Sequence, residues 1–189
     1  MTDVTEGATA QVPPGRGARL LVGVLHAGAA VAVGLGVLGR VHEPSGRALA
    51  TFGYGSFLEA KVALSSVALA LGVVQVVTAL RMYGRLGRAP VTRRVARLHR
   101  VSGLLAVAVS LPVAFQCLWV LGFVTTTPRV LAHSLAGCLL YGVLVAKLLA
   151  LRVRGVPDRA VPWLGGLLFT TLVAAWLTSS LWYLTTVAR

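Results

Sequence analysis

The chain has 189 residues, of which 57% are hydrophobic and only 12% are charged, and its mean hydropathy is +0.82. These values lie outside the range of soluble globular proteins and predict an integral membrane protein. The net charge of +13 would suggest nucleic acid as the partner of a soluble protein. In a membrane protein the same charge sets the topology and meets anionic lipid, so no nucleic-acid partner is expected.

Residues 1–17 carry acids, glycine and a proline pair, and they are predicted to form a disordered cytoplasmic arm. Five apolar stretches follow, and each can supply the roughly 20 helical residues that a ~30 Å hydrocarbon core requires. Because the connections are too short to fold separately, residues 18–189 are predicted to form one all-α domain, a bundle of five transmembrane helices. The stretches cover residues 20–39, 62–80, 101–124, 130–146 and 160–188.

The basic residues divide unequally between the two sides of these spans, which predicts a cytoplasmic N-terminus in a multi-pass protein of the cell membrane. We expect anionic lipid to meet the side that is richer in basic residues. That side carries 13 of the 18 basic residues, namely Arg16, Arg19, Arg81, Arg85, Arg88, Arg93, Arg94, Arg97, Arg100, Lys147, Arg152, Arg154 and Arg159.

Small and polar residues inside the spans predict how the helices pack. Gly28, Ala32 and Gly36 recur every four residues in the first span, a spacing that lets two membrane helices approach closely. The motif GLGVLG at residues 34–39 has the spacing of a dinucleotide fingerprint, but no strand precedes it, so helix packing is the favoured interpretation. In the second span we expect Ser65, Ser66 and Gln75 to face the bundle.

Catalytic signatures are absent from the sequence, which contains no HExxH, no GxSxG and no phosphate-binding loop. The spans also lack carboxylates, apart from Glu59 at the end of the second one. Acid–base catalysis usually recruits buried carboxylates, so no catalytic residue is predicted and a non-enzymatic role is favoured. Lys61 and Lys147 lie near the ends of their spans and are expected to extend to the membrane surface.

Three histidines, His26, His99 and His133, lie in or at the spans, and a buried imidazole should either form hydrogen bonds or bind a metal. His26 and His99 both lie about 10 Å from the cytoplasmic start of their helices, so they could be the two axial ligands of one haem. Gly103 and Gly137 each follow a histidine by one turn and would leave room for a flat macrocycle. His133 lies toward the other side, where Gln116 or His42 is a weaker partner. The alternative is that these histidines bond to hydroxyl or lipid groups.

Two short motifs resemble known membrane proteins. "LHRVSGLL" (98–105) and "HSLAG" (133–137) resemble the helical b-type cytochromes, in which histidines on neighbouring spans hold haem. Residues 40–187, especially 82–123 and 129–142, resemble an uncharacterised family of small actinobacterial membrane proteins with several spans. The cytochrome resemblance implies haem b as cofactor and a redox partner.

The leading hypothesis is therefore a small b-type cytochrome-like protein that passes electrons through haem held in the bundle. His26, His99 and His133 would be the metal ligands, and Gly103 and Gly137 would make room for the cofactor. A non-catalytic membrane subunit or scaffold of a larger complex is the first alternative. A carrier or channel for a small solute is the second.

Overall fold

The computed structural model describes residues 15–87 and 90–188, and every regular element in these residues is a helix. Two of the helices contain a wider, π-helical turn toward their ends. The elements are α1 (Arg16–Val41), α2 (Phe57–Met82), α3 (Arg93–Gln116) with the π-helical turn Cys117–Leu121, α4 (Pro128–Arg152), α5 (Ala160–Trp176) with the π-helical turn Leu177–Leu181, and a last short helix α6 (Trp182–Thr186). Together they make five helices that are long and apolar enough to cross a membrane, as predicted.

Hydroxyl side chains cap the first turns of three helices. Ser56, Thr92 and Thr127 each accept a hydrogen bond from the backbone N–H three residues later, which satisfies one of the free donors at the start of α2, α3 and α4. The cap at Thr92 sets the start of α3 at Arg93, eight residues before the apolar stretch 101–124 begins. Of the predicted N-terminal arm, residues 1–14 lie outside the described residues, and α1 begins at Arg16.

Each helix packs on specific neighbours, which gives the order α1, α4, α5, α2, α3 across the bundle. A hydrogen bond from the Tyr141 hydroxyl to the Ser110 hydroxyl, 3.0 Å long, also links α4 to α3. Helices α2 to α5 therefore form a four-helix unit, and α1 packs against it through α4. We call the end that carries the first residues of α1, α3 and α5 the arginine-rich end, and the other the opposite end.

Large apolar side chains cover the outside of the bundle. Trp163, Leu104 and Val33 are 79%, 70% and 65% exposed, and each lies on a helix that could span a membrane. A soluble protein rarely exposes so much contiguous apolar surface, whereas lipid covers it without penalty. The exposed surface therefore makes a membrane location plausible.

At the opposite end, the loop after α1 is held by the π-helical turn of α3. Backbone N–H groups of Ser45 and Gly46 donate to the carbonyls of Trp119 and Val120, at 3.1 and 3.2 Å. His42 also lies on Trp119, with 4.0 Å between the ring centroids. The last carbonyls of a helix have no partner within it, so this loop supplies the missing donors and closes the end of α3.

Candidate functional site

Polar side chains inside the bundle form two clusters, one in each half. The first, which we call the α2–α3 cluster, consists of Gln75, Thr78, His99 and Ser102. The second, which we call the opposite-end cluster, consists of Lys61, Arg129, His133 and Thr178. Ser65 and Ser66 also face inward, as predicted: Ser65 bonds to Ser180 at 2.7 Å, and Ser66 accepts the indole N–H of Trp176 at 2.9 Å.

In the α2–α3 cluster, His99 is oriented by Thr78. The Nδ1 atom of His99 lies 2.8 Å from Thr78 Oγ1, and that hydroxyl lies 2.6 Å from the carbonyl of Val74. Because the single hydroxyl proton of Thr78 goes to Val74, the Nδ1–H of His99 must donate to Thr78. His99 Nε2 then carries a lone pair, which is the form in which a histidine binds a metal.

Gly103, predicted to leave room for a macrocycle, lies in contact with Gln75. A Cβ atom at Gly103 would lie 3.0 Å from Gln75 Oε1. The Gln75 amide donates to the carbonyl of His99 and to the hydroxyl of Ser102. The glycine therefore lets α2 approach α3. At Gly137, by contrast, an added Cβ would meet nothing within 4 Å.

His26 lies on the exposed surface of α1, and its Nδ1 atom is 2.8 Å from the carbonyl of Val22 in the same helix. The helix of His26 packs along α4, whereas the helix of His99 packs along α2. The two helices thus have different main neighbours, and among the hydrogen bonds of the described residues none joins the two histidines. Their pairing on one haem remains a prediction.

In the opposite-end cluster, both ring nitrogens of His133 have partners. Nδ1 lies 3.1 Å from the carbonyl of Ala175, and Nε2 lies 3.2 Å from Lys61 Nζ. A carbonyl only accepts and an ammonium only donates, so His133 is neutral, with its proton on Nδ1 and its lone pair directed at Lys61. That lone pair is occupied, so His133 could bind a metal only by giving up Lys61. The partners expected from the sequence lie elsewhere: Gln116 accepts from the backbone of Ala50, and His42 stacks on Trp119.

Lys61 is buried, with only 8% of its surface exposed. The expectation that it extends to the membrane surface was therefore wrong: its ammonium turns inward to His133. The physical reason is that α4 presents an acceptor, His133 Nε2, within hydrogen-bond distance of the ammonium.

The π-helical turn of α5 supplies backbone acceptors to this cluster. In such a turn the hydrogen bonds run from residue i to i+5, so the change from α to π geometry leaves a carbonyl without its usual donor. His133 donates to the carbonyl of Ala175, just before the turn. Arg129 donates to the carbonyl of Thr178, within it, at 2.6 Å. The wider turn thus positions both side chains of α4.

A cavity of about 160 Å³ lies beside this cluster. The Arg129 guanidinium borders it and also lies over the ring of Trp182, 3.8 Å from its centroid. Residues from α2, α4, α6 and the π-helical turns after α3 and α5 surround the cavity, so it lies at the opposite end of the bundle. Its lining consists of Leu58, Lys61, Val62, Leu121, Arg129, Val130, His133, Ser179, Trp182 and Tyr183.

The charged side chains that line this cavity are both positive. Lys61 and Arg129 both line it, and their hydrogen bonds go to His133 and to a backbone carbonyl. Within residues 15–87 and 90–188 the only carboxylate side chains are Glu43, Glu59 and Asp158, and none lines the cavity. The arrangement offers cationic donors without a counter-charge, which is suited to an anion.

Sequence reasoning identified His133 but missed the two cations beside it. One signal was present: Arg129 precedes His133 by four residues, so both lie on the same face of α4.

The volume of the cavity is close to the ~150 Å³ that accommodates a benzene ring, and the cavity is too small for a haem. In the described part of the chain, no three His, Cys, Asp or Glu side chains converge as a metal site.

Comparison with known proteins gives a family but no function. No curated protein and no solved structure matches the sequence. Residues 20–189 match a family described as a family of unknown function, DUF6529. The matched region includes nearly all of α1 and the whole of the other four spans, with both polar clusters. The chain therefore belongs to the DUF6529 family.

Proposed function

We propose that this protein is a multi-pass protein of the cell membrane that binds a small anion at the opposite end of its bundle. The N-terminus would lie in the cytoplasm, with the arginine-rich end against anionic lipid of the inner leaflet. The apolar exterior and the uneven distribution of arginine support this placement. The cavity then lies in the outer half of the membrane.

The proposal rests on one observation: two cationic side chains, Lys61 and Arg129, line the same cavity. Lys61 is buried, and its only hydrogen-bond partner among the described residues is the neutral His133. Removing an ammonium from water is costly unless an opposite charge or several acceptors compensate it. Because Arg129 adds a second positive charge instead of a negative one, an anion in the cavity would stabilise the folded protein.

Thermal unfolding in the presence of anions would test the proposal. We expect the full-length protein, in nanodiscs of zwitterionic lipid, to unfold at higher temperature as a small anion is added at constant ionic strength, because a ligand that binds only the folded state stabilises it. Chloride, acetate, benzoate and inorganic phosphate would be the probes. The Lys61→Gln variant should lose the shift, while Lys147→Gln, which removes a lysine near the arginine-rich end, should keep it. The proposal fails if no probe raises the unfolding temperature or if Lys61→Gln responds like the parent.

Haem binding at His99 is a second candidate, and the orientation of that histidine favours it. Thr78 fixes the ring so that Nε2 keeps its lone pair, as in histidines that bind metals. Together with the likeness to b-type cytochromes and to actinobacterial membrane proteins, this supports a proposal that His99 binds haem b and exchanges electrons with a redox partner. His26 would be the second ligand only if α1 approached α3 more closely than in this structure.

An absorption spectrum distinguishes the candidates. Haem bound at His99 should give a Soret band in protein purified from cells well supplied with haem, and His99→Ala should abolish it. His42→Ala, which alters a histidine outside the spans, is the matched control. Colourless protein would remove the cytochrome proposal, and the role of a non-catalytic membrane subunit would take its place beside anion binding.

A further inference from the structure

The cavity of the opposite-end cluster has two chemically different sides. Lys61 and Arg129 provide the cationic side, at which His133 holds the lysine in place. Most of the other lining residues are apolar, and we call four of them, Leu58, Val62, Leu121 and Val130, the apolar side. Such a lining suits a ligand that has one anionic group and an otherwise apolar body.

Both cations of the cationic side keep N–H donors for a carboxylate. The Lys61 ammonium has three N–H donors, of which one is directed at His133. The Arg129 guanidinium has five, of which one donates to the carbonyl of Thr178. Ser179 lines the cavity too, but its hydroxyl donates to the carbonyl of Ala175. Unused donors thus remain on both cations, and donors on cations form the stronger hydrogen bonds to a carboxylate.

The apolar side favours a monocarboxylate over inorganic phosphate or sulfate. Inorganic phosphate and sulfate carry oxygens in every direction, and those that face Leu58, Val62, Leu121 and Val130 would lose their hydrogen bonds to water without replacement. A monocarboxylate is polar at one end only, and its hydrocarbon part gains by contact with these side chains. A cavity of about 160 Å³ has room for a hydrocarbon part close to a benzene ring in size.

We propose that the ligand of this cavity is a small monocarboxylate with an apolar body, about the size of benzoate. The carboxylate lies between Lys61 and Arg129, and the apolar body points toward Val62 and Val130. This inference rests on the proposed anion-binding function and names its ligand class.

Calorimetric titration of the full-length protein in zwitterionic nanodiscs tests the inference with three probes. Benzoate has both the charge and the ring, benzyl alcohol has the ring alone, and inorganic phosphate has the charge alone. Since a hydrogen bond to a charged group contributes roughly tenfold or more to affinity, benzoate should bind about tenfold tighter than benzyl alcohol. It should also bind more tightly than phosphate.

Variants separate the two parts of the inference. Arg129→Gln and Lys61→Gln should each reduce the affinity for benzoate toward that for benzyl alcohol, while Lys147→Gln should leave it unchanged. Leu121 belongs to the apolar side and is 40% exposed, so a larger side chain there can be accommodated without unfolding the protein. Leu121→Phe should weaken the binding of benzoate and leave the binding of phosphate unchanged. Tighter binding of phosphate than of benzoate would overturn the monocarboxylate and leave the anion site standing. Failure of both anions to bind, or binding that does not change in Lys61→Gln and Arg129→Gln, would overturn the site itself.

Discussion

Gly28 of α1 and Gly142 of α4 contact each other backbone to backbone. A Cβ atom on Gly28 would lie 2.6 Å from the carbonyl oxygen of Gly142, and one on Gly142 would lie 2.5 Å from the carbonyl oxygen of Gly28. Ala146 and Ala32 close the same contact, since each lies 2.8 Å from one of these added atoms. The crossing therefore requires a glycine on both helices, because neither carbonyl can move without displacing a whole helix.

We predict that Gly28→Ala and Gly142→Ala each destabilise the bundle. Each added methyl group overlaps a backbone oxygen, and overpacking of this kind typically costs about 1–3 kcal/mol. Chemical unfolding in detergent would measure the loss. Gly34→Ala is the matched control in α1, because a Cβ atom there would meet nothing within 4 Å. Equal stability of Gly28→Ala and Gly34→Ala would show that α1 and α4 do not cross at this point.

The sequence predicted the five helices and one of their contact surfaces, but not which helix packs on which. The close approach expected from Gly28, Ala32 and Gly36 is confirmed at Gly28. Lipid-facing and helix-facing residues are equally apolar, however, so the order of the helices leaves little trace in the pattern of hydrophobic residues. His26 lies ten residues after the start of α1, whereas His99 lies six residues after the start of α3, so the two do not share the distance along their helices that the sequence suggested. That distance also carried no information about which helices are neighbours.

Of the residues in the opposite-end cluster, the sequence analysis identified only His133 as a site residue. Lys61 lies near a helix end, where a lysine can either reach the membrane surface or turn inward, and its position along the chain is the same in both cases. The inward orientation depends on His133 and on the π-helical turn Leu177–Leu181, whose residues carry no distinctive signal of that geometry.

We predict that reporter fusions place the arginine-rich end in the cytoplasm. Alkaline phosphatase is active only outside the cytoplasm, so a fusion after Gly87 should be inactive and one after Gly122 should be active. These positions lie at the two ends of α3, and the excess of arginine on the first side disfavours its export. The reverse result would invert the topology and place the Lys61 cavity on the cytoplasmic side.

We predict that Gly103→Ala weakens the contact between α2 and α3, whereas Gly137→Ala does not. The methyl group at residue 103 would press on the Gln75 amide, which bonds to the hydroxyl of Ser102. Displacing that amide should reduce the free energy of unfolding by about 1 kcal/mol. The Cβ atom at residue 137 meets nothing within 4 Å, and alanine is the better helix former there. If Gly103→Ala left stability unchanged and altered only a haem spectrum, Gly103 would serve a cofactor and not packing.

The bond between Lys61 and His133 should appear as a coupling in a double-mutant cycle, which chemical unfolding can measure. His133→Ala leaves the buried ammonium without its acceptor and should lower stability by about 1–3 kcal/mol. Lys61→Met removes the charge and keeps most of the volume, so its effect should be smaller, since apolar replacement of a buried charge is often neutral.

The double variant Lys61→Met, His133→Ala should therefore be more stable than His133→Ala alone, although it carries one substitution more. The reason is that the second change removes the uncompensated ammonium that makes the first one harmful. A cycle between Lys147 and His133 is the control, because Lys147 lies near the other end of α4 and its changes should add independently. Purely additive effects of Lys61→Met and His133→Ala would mean that the ammonium does not depend on His133. The anion site would then lose the group that holds its buried cation in place.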